Sequence, residues 1–481
     1  MSWVARQGGH LRRLERWPTP ALALLAWAPM LLWFAAFRPG IMSADSLSSW
    51  QQVVDGDWVD AHPPVYTAAM WLSERTAGSP LLLTLAQSYL LAFAIVSVAR
   101  AAVRVGARRP LVIAITAIVA CTPMVGAFSV SLWKDVPFTA AFLLLGARLI
   151  DLAAARIEQD RRAQLLAARG ILGWSLAATV LRQNGVLVVA LALIVMAVTL
   201  RGLRRAVVSC LVLCVLTLAG LRVVVYPLLG VAEGPPNAEI STMLHDIAAI
   251  AVRDPAALDS EDVELLERVA PLAAWTTEWQ RWGCSSANWQ FAPVFRGWSA
   301  VEGAQASFVR VWAELAVSQP RAVLGNRLCV GSVGWRPDSV GRFFTVDRGI
   351  PPNPYGLMTD PMVGPLNDAG RTVLELFDRP WIQWLAWRAP LWIAAAYGLV
   401  GITAWRRRQP LVALPLLLLV SLQVAITAFN VSQDARYMMP GLLLAVLLLP
   451  LSTVHVRGNH ATPKGPESVV PERREARRRL G

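Results

Sequence analysis

Residues 20–37, PALALLAWAPMLLWFAAF, hold no charged side chain and are followed by the polar loop SADSLSSWQQVVDGDWVDAHPP at residues 43–64. About 20 mostly apolar residues cross a bilayer as a helix, so this run predicts a membrane span. The same criterion, applied along the chain, predicts about ten spans. They lie at 20–37, 81–99, 110–130, 136–150, 170–182, 186–200, 206–229, 388–404, 410–428 and 437–454.

The composition agrees with a protein embedded in lipid. Hydrophobic residues make up 55% of the chain and charged residues 16%, and the mean hydropathy is +0.46. A soluble fold rarely has so few charges. We therefore predict an all-α polytopic membrane protein.

The net charge of +13 is distributed in arginine blocks between spans. With ten spans every block falls on one side of the membrane, as the positive-inside rule requires. This distribution predicts cytoplasmic termini in a cell membrane and argues against nucleic-acid binding, because no basic domain interleaved with aromatic residues is present. The blocks are Arg12, Arg13 and Arg16; Arg100, Arg104, Arg108 and Arg109; Arg156, Arg161, Arg162 and Arg169; Arg201, Arg204 and Arg205; Arg406–Arg408; and the tail from Arg457 to Arg479.

The first external loop, 38–80, has the pattern of two amphipathic surface helices. Ser43 suits an N-cap, and the apolar positions Leu47, Trp50 and Val54 recur at helical spacing. Asp45 then lies in the first turn, where the helix dipole favours an ionised carboxylate. Pro64 suits the first turn of the second helix. The alternative interpretations are that Asp45 only stabilises the start of the helix and that His62-Pro63-Pro64 only forms a turn.

Three features of this loop carry a resemblance to a known superfamily. They are an acidic residue just after span one, Gly56-Asp57-Trp58 about a dozen residues later, and Pro63-Pro64. Their order resembles the first external loop of GT-C integral-membrane glycosyltransferases, nearest to the protein O-mannosyltransferase and aminoarabinose transferase (family 39-like) branch. The similarity covers residues 20–230. One departure is that many relatives carry an adjacent acidic pair, whereas Asp45 is flanked by Ala44 and Ser46.

The resemblance implies a domain order as well as a chemistry. A GT-C-like catalytic module of about seven spans would cover 1–231, and an extracytoplasmic, mainly helical domain between spans seven and eight would cover 232–387. Helical periodicity at 237–253, 260–269 and 301–318 agrees with that domain. The remaining spans would occupy 388–455, and the basic tail 456–481 would be disordered in the cytosol.

Sugar transfer from a lipid phosphate to a hydroxyl needs a base and positive charge. A positioned carboxylate can accept the acceptor's proton, and Asp45 is the predicted base. Cations must stabilise the departing phosphate, and Lys134, Arg182, Arg222 and Arg436 are the candidates on the external face. For Arg222, inside span seven, snorkelling to the interface is the alternative.

Further polar turns fall on the same face and complete the predicted site. Asp135 matches a donor-site acid of the resembling families, with an interfacial Lys–Asp pair as the alternative. Asp57, His62 and Asp135 could together hold Mg²⁺ or Mn²⁺. The turn at Arg182 and Asn184 could bind sugar or phosphate, or form a hairpin tip. The pair Arg436-Tyr437 resembles pairs in GT-C relatives, although an interface anchor fits equally well.

Together with these polar turns, the GT-C resemblance implies an inverting, polyprenyl-phosphate-dependent glycosyltransferase of a bacterial cell envelope. Its partners would be the lipid bilayer, the polyprenyl-phosphate sugar donor, and an acceptor glycan, lipid or protein outside the cytoplasm. A polytopic transporter or a lipid-linked glycan flippase is the main alternative, but such folds place broken polar helices at mid-membrane in matching halves. A non-catalytic assembly or sensory protein is the third.

Overall fold

The computed structural model describes residues 18–234, 240–283, 295, 301, 303–338, 343–430 and 432–454. The arginine block at Arg12, Arg13 and Arg16 and the predicted tail 456–481 lie outside these ranges. Within them the regular structure is helical, and strand pairing is limited to isolated bridges.

Seven of the described helices are long and apolar enough to cross a membrane. This confirms the predicted all-α polytopic class. They are α1 (Thr19–Phe37), α4 (Leu81–Arg104), α7 (Asp135–Ile157), α8 (Arg161–Leu181), α10 (Arg201–Leu228), α19 (Pro410–Phe429) and α20 (Ala435–Thr453).

The other three predicted spans correspond to less regular helices. Two are bent pairs, α5 (Arg109–Cys121) with α6 (Pro123–Val130) at 57°, and α17 (Pro380–Ala386) with α18 (Pro390–Arg406) at 43°. The third is the short apolar helix α9 (Gly185–Thr199). Proline begins α6, α17 and α18, and proline suits a first helical turn but not an interior one.

Two helices occupy the first loop, α2 (Ala44–Asp55) and α3 (Pro64–Ala77). The Ser43 and Ser46 side chains form a reciprocal capping box at the start of α2, which satisfies amide groups that have no partner inside the helix. The buried face of α2 includes Trp50 and Val53, whereas Val54 is 54% exposed. The prediction that Val54 lies on the apolar face of this helix is therefore wrong, because the neighbouring residue Val53 is the one that is buried.

The segment between α10 and α17 forms a helical domain with its own hydrophobic core. Buried side chains from all five of its helices pack together in that core, separately from the core of the spans. Its helices are α11 (Ser241–Arg253), α12 (Ser260–Val269), α13 (Leu272–Trp282), α14 (Gln305–Ser318) and α15 (Pro320–Val330). After them, α16 (Gly364–Phe377) packs against α1.

The α8–α9 turn is closely packed, which permits a test of this part of the fold. A Cβ atom at Gly185 would lie 2.1 Å from the carbonyl oxygen of Ala178, so Gly185→Ala must separate the two helices. We expect a loss of about 1–3 kcal/mol in the free energy of unfolding, the usual cost of overpacking. Thermal unfolding in detergent measures it.

The matched control is Gly173→Ala on α8, where an added Cβ has no neighbour within 4 Å. That variant should be neutral or more stable by roughly 0.4–1 kcal/mol, because alanine restricts the unfolded chain. Equal midpoints for the two variants would contradict the close packing at Gly185.

Candidate functional site

Four separate parts of the chain meet around a small cavity at one end of the span bundle. They are the start of α2, the loop before α3, the start of α7 and the start of α20. The cavity is lined by Asp45, Ser46, Ser49, His62, Tyr66, Leu132, Trp133, Lys134, Asp135 and Arg436. Five of the ten site residues predicted from the sequence therefore line one cavity.

Asp45 lies at the cavity in direct contact with Arg436. The Asp45 carboxylate accepts a hydrogen bond from an Arg436 guanidinium nitrogen at 2.5 Å, and the Asp45 side chain is 36% exposed. Burial raises the pKa of this carboxyl, but the positive charges of Arg436 and Lys134 outweigh it and hold the pKa well below its usual range. Asp45 is thus ionised at neutral pH and restrained by its partner.

Arg436 also contacts a second carboxylate and two aromatic rings. Its Nε lies 2.9 Å from an Asp434 oxygen, and its guanidinium carbon lies 5.5 Å from the Trp133 ring centroid and 5.1 Å from that of Tyr437. Cation–π contacts of this length are attractive. Burial raises the pKa of Asp434 to about 6, against the opposing effect of Arg436.

Lys134 and His62 form a hydrogen-bonded pair that lines the same cavity as Asp45. The Lys134 ammonium lies 2.5 Å from Nδ1 of His62. Burial lowers the pKa of His62 to about 4, assisted by the charge of Lys134, so the imidazole is neutral and Nδ1 can accept the proton of the ammonium. Burial also lowers the pKa of Lys134 to about 8, so the lysine is mainly charged at pH 7.

A buried ion pair links Asp135, which lines the cavity, to Arg182. Arg182 lies 3.0 Å from an Asp135 oxygen, and the two side chains are 10% and 1% exposed. The Arg182 guanidinium carbon also lies 4.9 Å from the Tyr437 ring centroid and 5.3 Å from that of Phe138. Tyr437 therefore contacts the guanidinium groups of both Arg182 and Arg436, which brings these two cations together at one ring.

Three predicted site residues lie away from the cavity. Asp57 is exposed after the end of α2. Asn184 is exposed at the start of α9, beside a second small cavity that Arg182 also lines. Arg222 lies 3.8 Å from Asp60. This arginine therefore has a carboxylate close to it, which neither the predicted phosphate contact nor the alternative of snorkelling to the membrane interface included.

Two of the three predicted Mg²⁺ or Mn²⁺ ligands, His62 and Asp135, line the cavity, but the three do not form a metal site. Among the residues that the structure describes, no group of three or more His, Cys, Asp or Glu side chains could hold a metal ion. The reason is that Asp135 lies against Arg182 and Nδ1 of His62 faces the Lys134 ammonium, while Asp57 is exposed. The proposed ligand set does not fit a metal in this arrangement.

Asp347 is a residue of this region that the sequence patterns missed. Backbone hydrogen bonds attach its segment at both ends, from Met42 to the Gly349 carbonyl and between Phe344 and residues 433–435. Burial raises the pKa of Asp347 to about 6. The charge of Arg436 lowers this pKa, and the charge of Asp45 raises it. Its side chain is exposed, and the backbone contacts of its segment bring it close to the starts of α2 and α20, which carry Asp45 and Arg436. No local motif marks it.

Comparison with known proteins yields one family and no individual relative. Residues 60–329 match a family of unknown function, DUF6020, and this range includes His62, Lys134, Asp135 and Arg182 but neither Asp45 nor Arg436. No curated protein and no solved structure matches the chain. Because the match spans more than half of the 481 residues, the chain belongs to the DUF6020 family, whose function is unknown.

Proposed function

We propose that this protein is a glycosyltransferase of the GT-C type that transfers a sugar from a polyprenyl phosphate to an acceptor hydroxyl outside the cytoplasm. The observation that supports it is the set of three cations, Lys134, Arg182 and Arg436, at one end of the spans with the Asp45 carboxylate among them. A lipid-linked phosphate needs cations at the membrane surface, and an acceptor hydroxyl needs a base.

In the proposed reaction, the acceptor oxygen attacks the anomeric carbon while the bond from that carbon to the phosphate oxygen breaks. The electron pair of the broken bond leaves with the polyprenyl phosphate, whose charge Lys134 and Arg436 stabilise. The acceptor proton passes to Asp45. A single displacement of this kind inverts the anomeric centre.

The ion pair between Asp45 and Arg436 suggests how the base is activated. A carboxylate held by a guanidinium at 2.5 Å is a weak base, since its pKa is depressed. A donor phosphate that attracts Arg436 and Lys134 would reduce the positive charge acting on Asp45. The basicity of Asp45 would then increase only when the donor is bound.

We also propose the orientation that this reaction requires. The ten predicted segments each cross the membrane, the arginine-rich ends face the cytoplasm, and the domain formed by α11–α15 is external, because the positive-inside rule then holds for every block. A reporter fused after residue 300 tests the orientation. Cytoplasmic labelling there would place the cavity on the wrong side for an extracytoplasmic acceptor.

The direct test is transfer by the purified protein reconstituted in vesicles. Labelled polyprenyl-phosphate sugars would be supplied together with a membrane extract as the source of acceptors, and the label would be followed into acceptor material. Formation of labelled product by the intact protein, and its loss in Arg436→Gln, would support the proposal. Movement of the intact donor across the bilayer without transfer would instead identify a flippase.

The rate of transfer should fall as the pH rises through about 8. The reason is that Lys134, whose pKa is lowered by burial to about 8, loses its positive charge above that pH and no longer stabilises the phosphate. A pH–rate profile of the reconstituted protein measures this decline. In Lys134→Arg the charge persists to higher pH, so its profile should lack the decline; the same decline in both proteins would assign it to another group.

A further inference from the structure

An apolar groove lies between α1, α4 and α5, at the opposite end of the bundle from the cavity with Asp45. It has a volume of about 450 Å³. Its walls come from the N-terminal half of α1 and the C-terminal half of α4. The cavity with Asp45 lies beyond the other ends of these helices, since Asp45 follows α1 and Tyr66 contacts Gln87 on α4. The two sites are therefore separate.

One end of the groove is basic and the rest is apolar. Arg100, Arg104 and Arg109 line that end, where α4 finishes and α5 begins. Arg104 also binds Asp151 at 2.7 Å and keeps a half-exposed side chain. The rest of the wall is mainly aliphatic, as at Leu25. This combination suits an amphiphile with an anionic head and a hydrocarbon chain.

The length of the groove limits what can fill it. Its wall on α5 extends from Arg109 to Cys121, a rise of about 18 Å at 1.5 Å per residue. One leaflet of the hydrocarbon core is about 15 Å thick, half of the full core. The bend of 57° between α5 and α6 follows directly after Cys121. An acyl chain of one leaflet matches this depth.

We propose that this groove binds one anionic phospholipid from the leaflet on the arginine-rich face of the protein. The phosphate lies at Arg100, Arg104 and Arg109, and an acyl chain lies along α5 between α1 and α4. Charge complementarity selects an anionic over a zwitterionic head group, because basic side chains at a membrane surface attract negative lipids. The bound lipid fills space between three spans and holds them together.

The test uses the full-length protein in nanodiscs made with phosphatidylglycerol, phosphatidylcholine or an equal mixture. After extraction, native mass spectrometry counts the lipids that remain bound. We expect one retained phosphatidylglycerol, at least about tenfold enriched over phosphatidylcholine from the mixed discs, and a higher melting temperature in phosphatidylglycerol. Equal retention of the two lipids, or retention of neither, would overturn the proposal.

Variants separate this groove from general membrane attraction. Arg100→Gln combined with Arg109→Gln should lose the enrichment, whereas Arg161→Gln combined with Arg162→Gln, which neutralises two exposed arginines of the same face at the start of α8, should retain it. Equal effects of the two double variants would mean that the basic face attracts anionic lipid without a specific site.

A steric variant keeps the test informative should the arginine variant fold poorly. Ala117→Trp fills the groove, since Ala117 lines it, and should prevent lipid retention while all arginines remain. Ala114→Trp on the same helix is the matched control, because Ala114 is exposed and does not line the groove. Unchanged retention in Ala117→Trp would contradict an acyl chain in this position.

Discussion

Asp45→Asn should abolish sugar transfer while the protein still inserts and folds. The substitution keeps the shape of the side chain but removes the carboxylate that is to accept the proton, and general base catalysis typically contributes about 10²–10⁴ in rate. Transfer from a labelled polyprenyl-phosphate sugar in vesicles measures the loss. The change in stability should be small, because Asn can still accept a hydrogen bond from Arg436, and that arginine keeps its contact with Asp434 at 2.9 Å.

Asp55→Asn is the matched control. Asp55 lies at the other end of α2 and is exposed, so this variant removes one carboxylate from the same helix without affecting the cavity. It should transfer at the normal rate. Normal transfer by Asp45→Asn would exclude Asp45 as the base, and Asp347, which lies near Arg436 and has its pKa raised by burial to about 6, would then be the carboxylate to replace.

Asp246→Ala should destabilise the domain of α11–α15 by about 3–5 kcal/mol, the usual cost of leaving a buried charge without its partner. Asp246 is fully buried. One of its oxygens accepts hydrogen bonds from Arg327 and Asn326, each at 2.6 Å, and the other accepts one from Trp312 at 3.0 Å. Removal of the carboxylate leaves Arg327 buried and its charge uncompensated. Denaturant unfolding followed by tryptophan fluorescence measures the loss.

The same network reaches the segment that carries Arg436. Arg327 also donates a hydrogen bond to the Asn430 carbonyl at 3.0 Å. Asp246→Ala should therefore also lower the rate of sugar transfer, to the extent that the segment before Arg436 loses its order. Asp254→Asn, on the exposed end of α11, is the control and should change stability by less than about 0.5 kcal/mol. A shift of similar size in both variants would contradict the structural role of the buried network.

Much of the architecture follows from local sequence patterns. Each predicted apolar segment corresponds to a helix or to a bent pair, because a chain in lipid must satisfy its backbone hydrogen bonds within the segment. The surface helices α2 and α3 also follow from local signals, the Ser43 cap and the proline at Pro64. Helix ends and single positions are less well predicted: α7 is longer than its apolar run, and Val53 replaces Val54 in the core of α2.

The site itself was only partly predictable. Topology placed Asp45, Lys134, Arg182 and Arg436 on one face, because each lies at the same end of a span. Charge alone could not predict which carboxylate on that face pairs with which cation. The interpretation of Asp57, His62 and Asp135 as a metal site did not include two neighbouring cations. Arg182 lies against Asp135, and Lys134 lies against His62.

The sequence by itself thus determined the membrane class, the apolar helices and the end of the bundle at which polar residues gather, since apolar length and charge position act locally along the chain. Tertiary structure alone decided which of those residues meet. Asp45 and Arg436 are 391 positions apart. The segment of Asp347 is held beside them by backbone hydrogen bonds between Gly349 and Met42 and between Phe344 and the start of α20. Such contacts depend on the packing of distant helices, in which many arrangements satisfy the same hydrophobic pattern and only one brings these charges together.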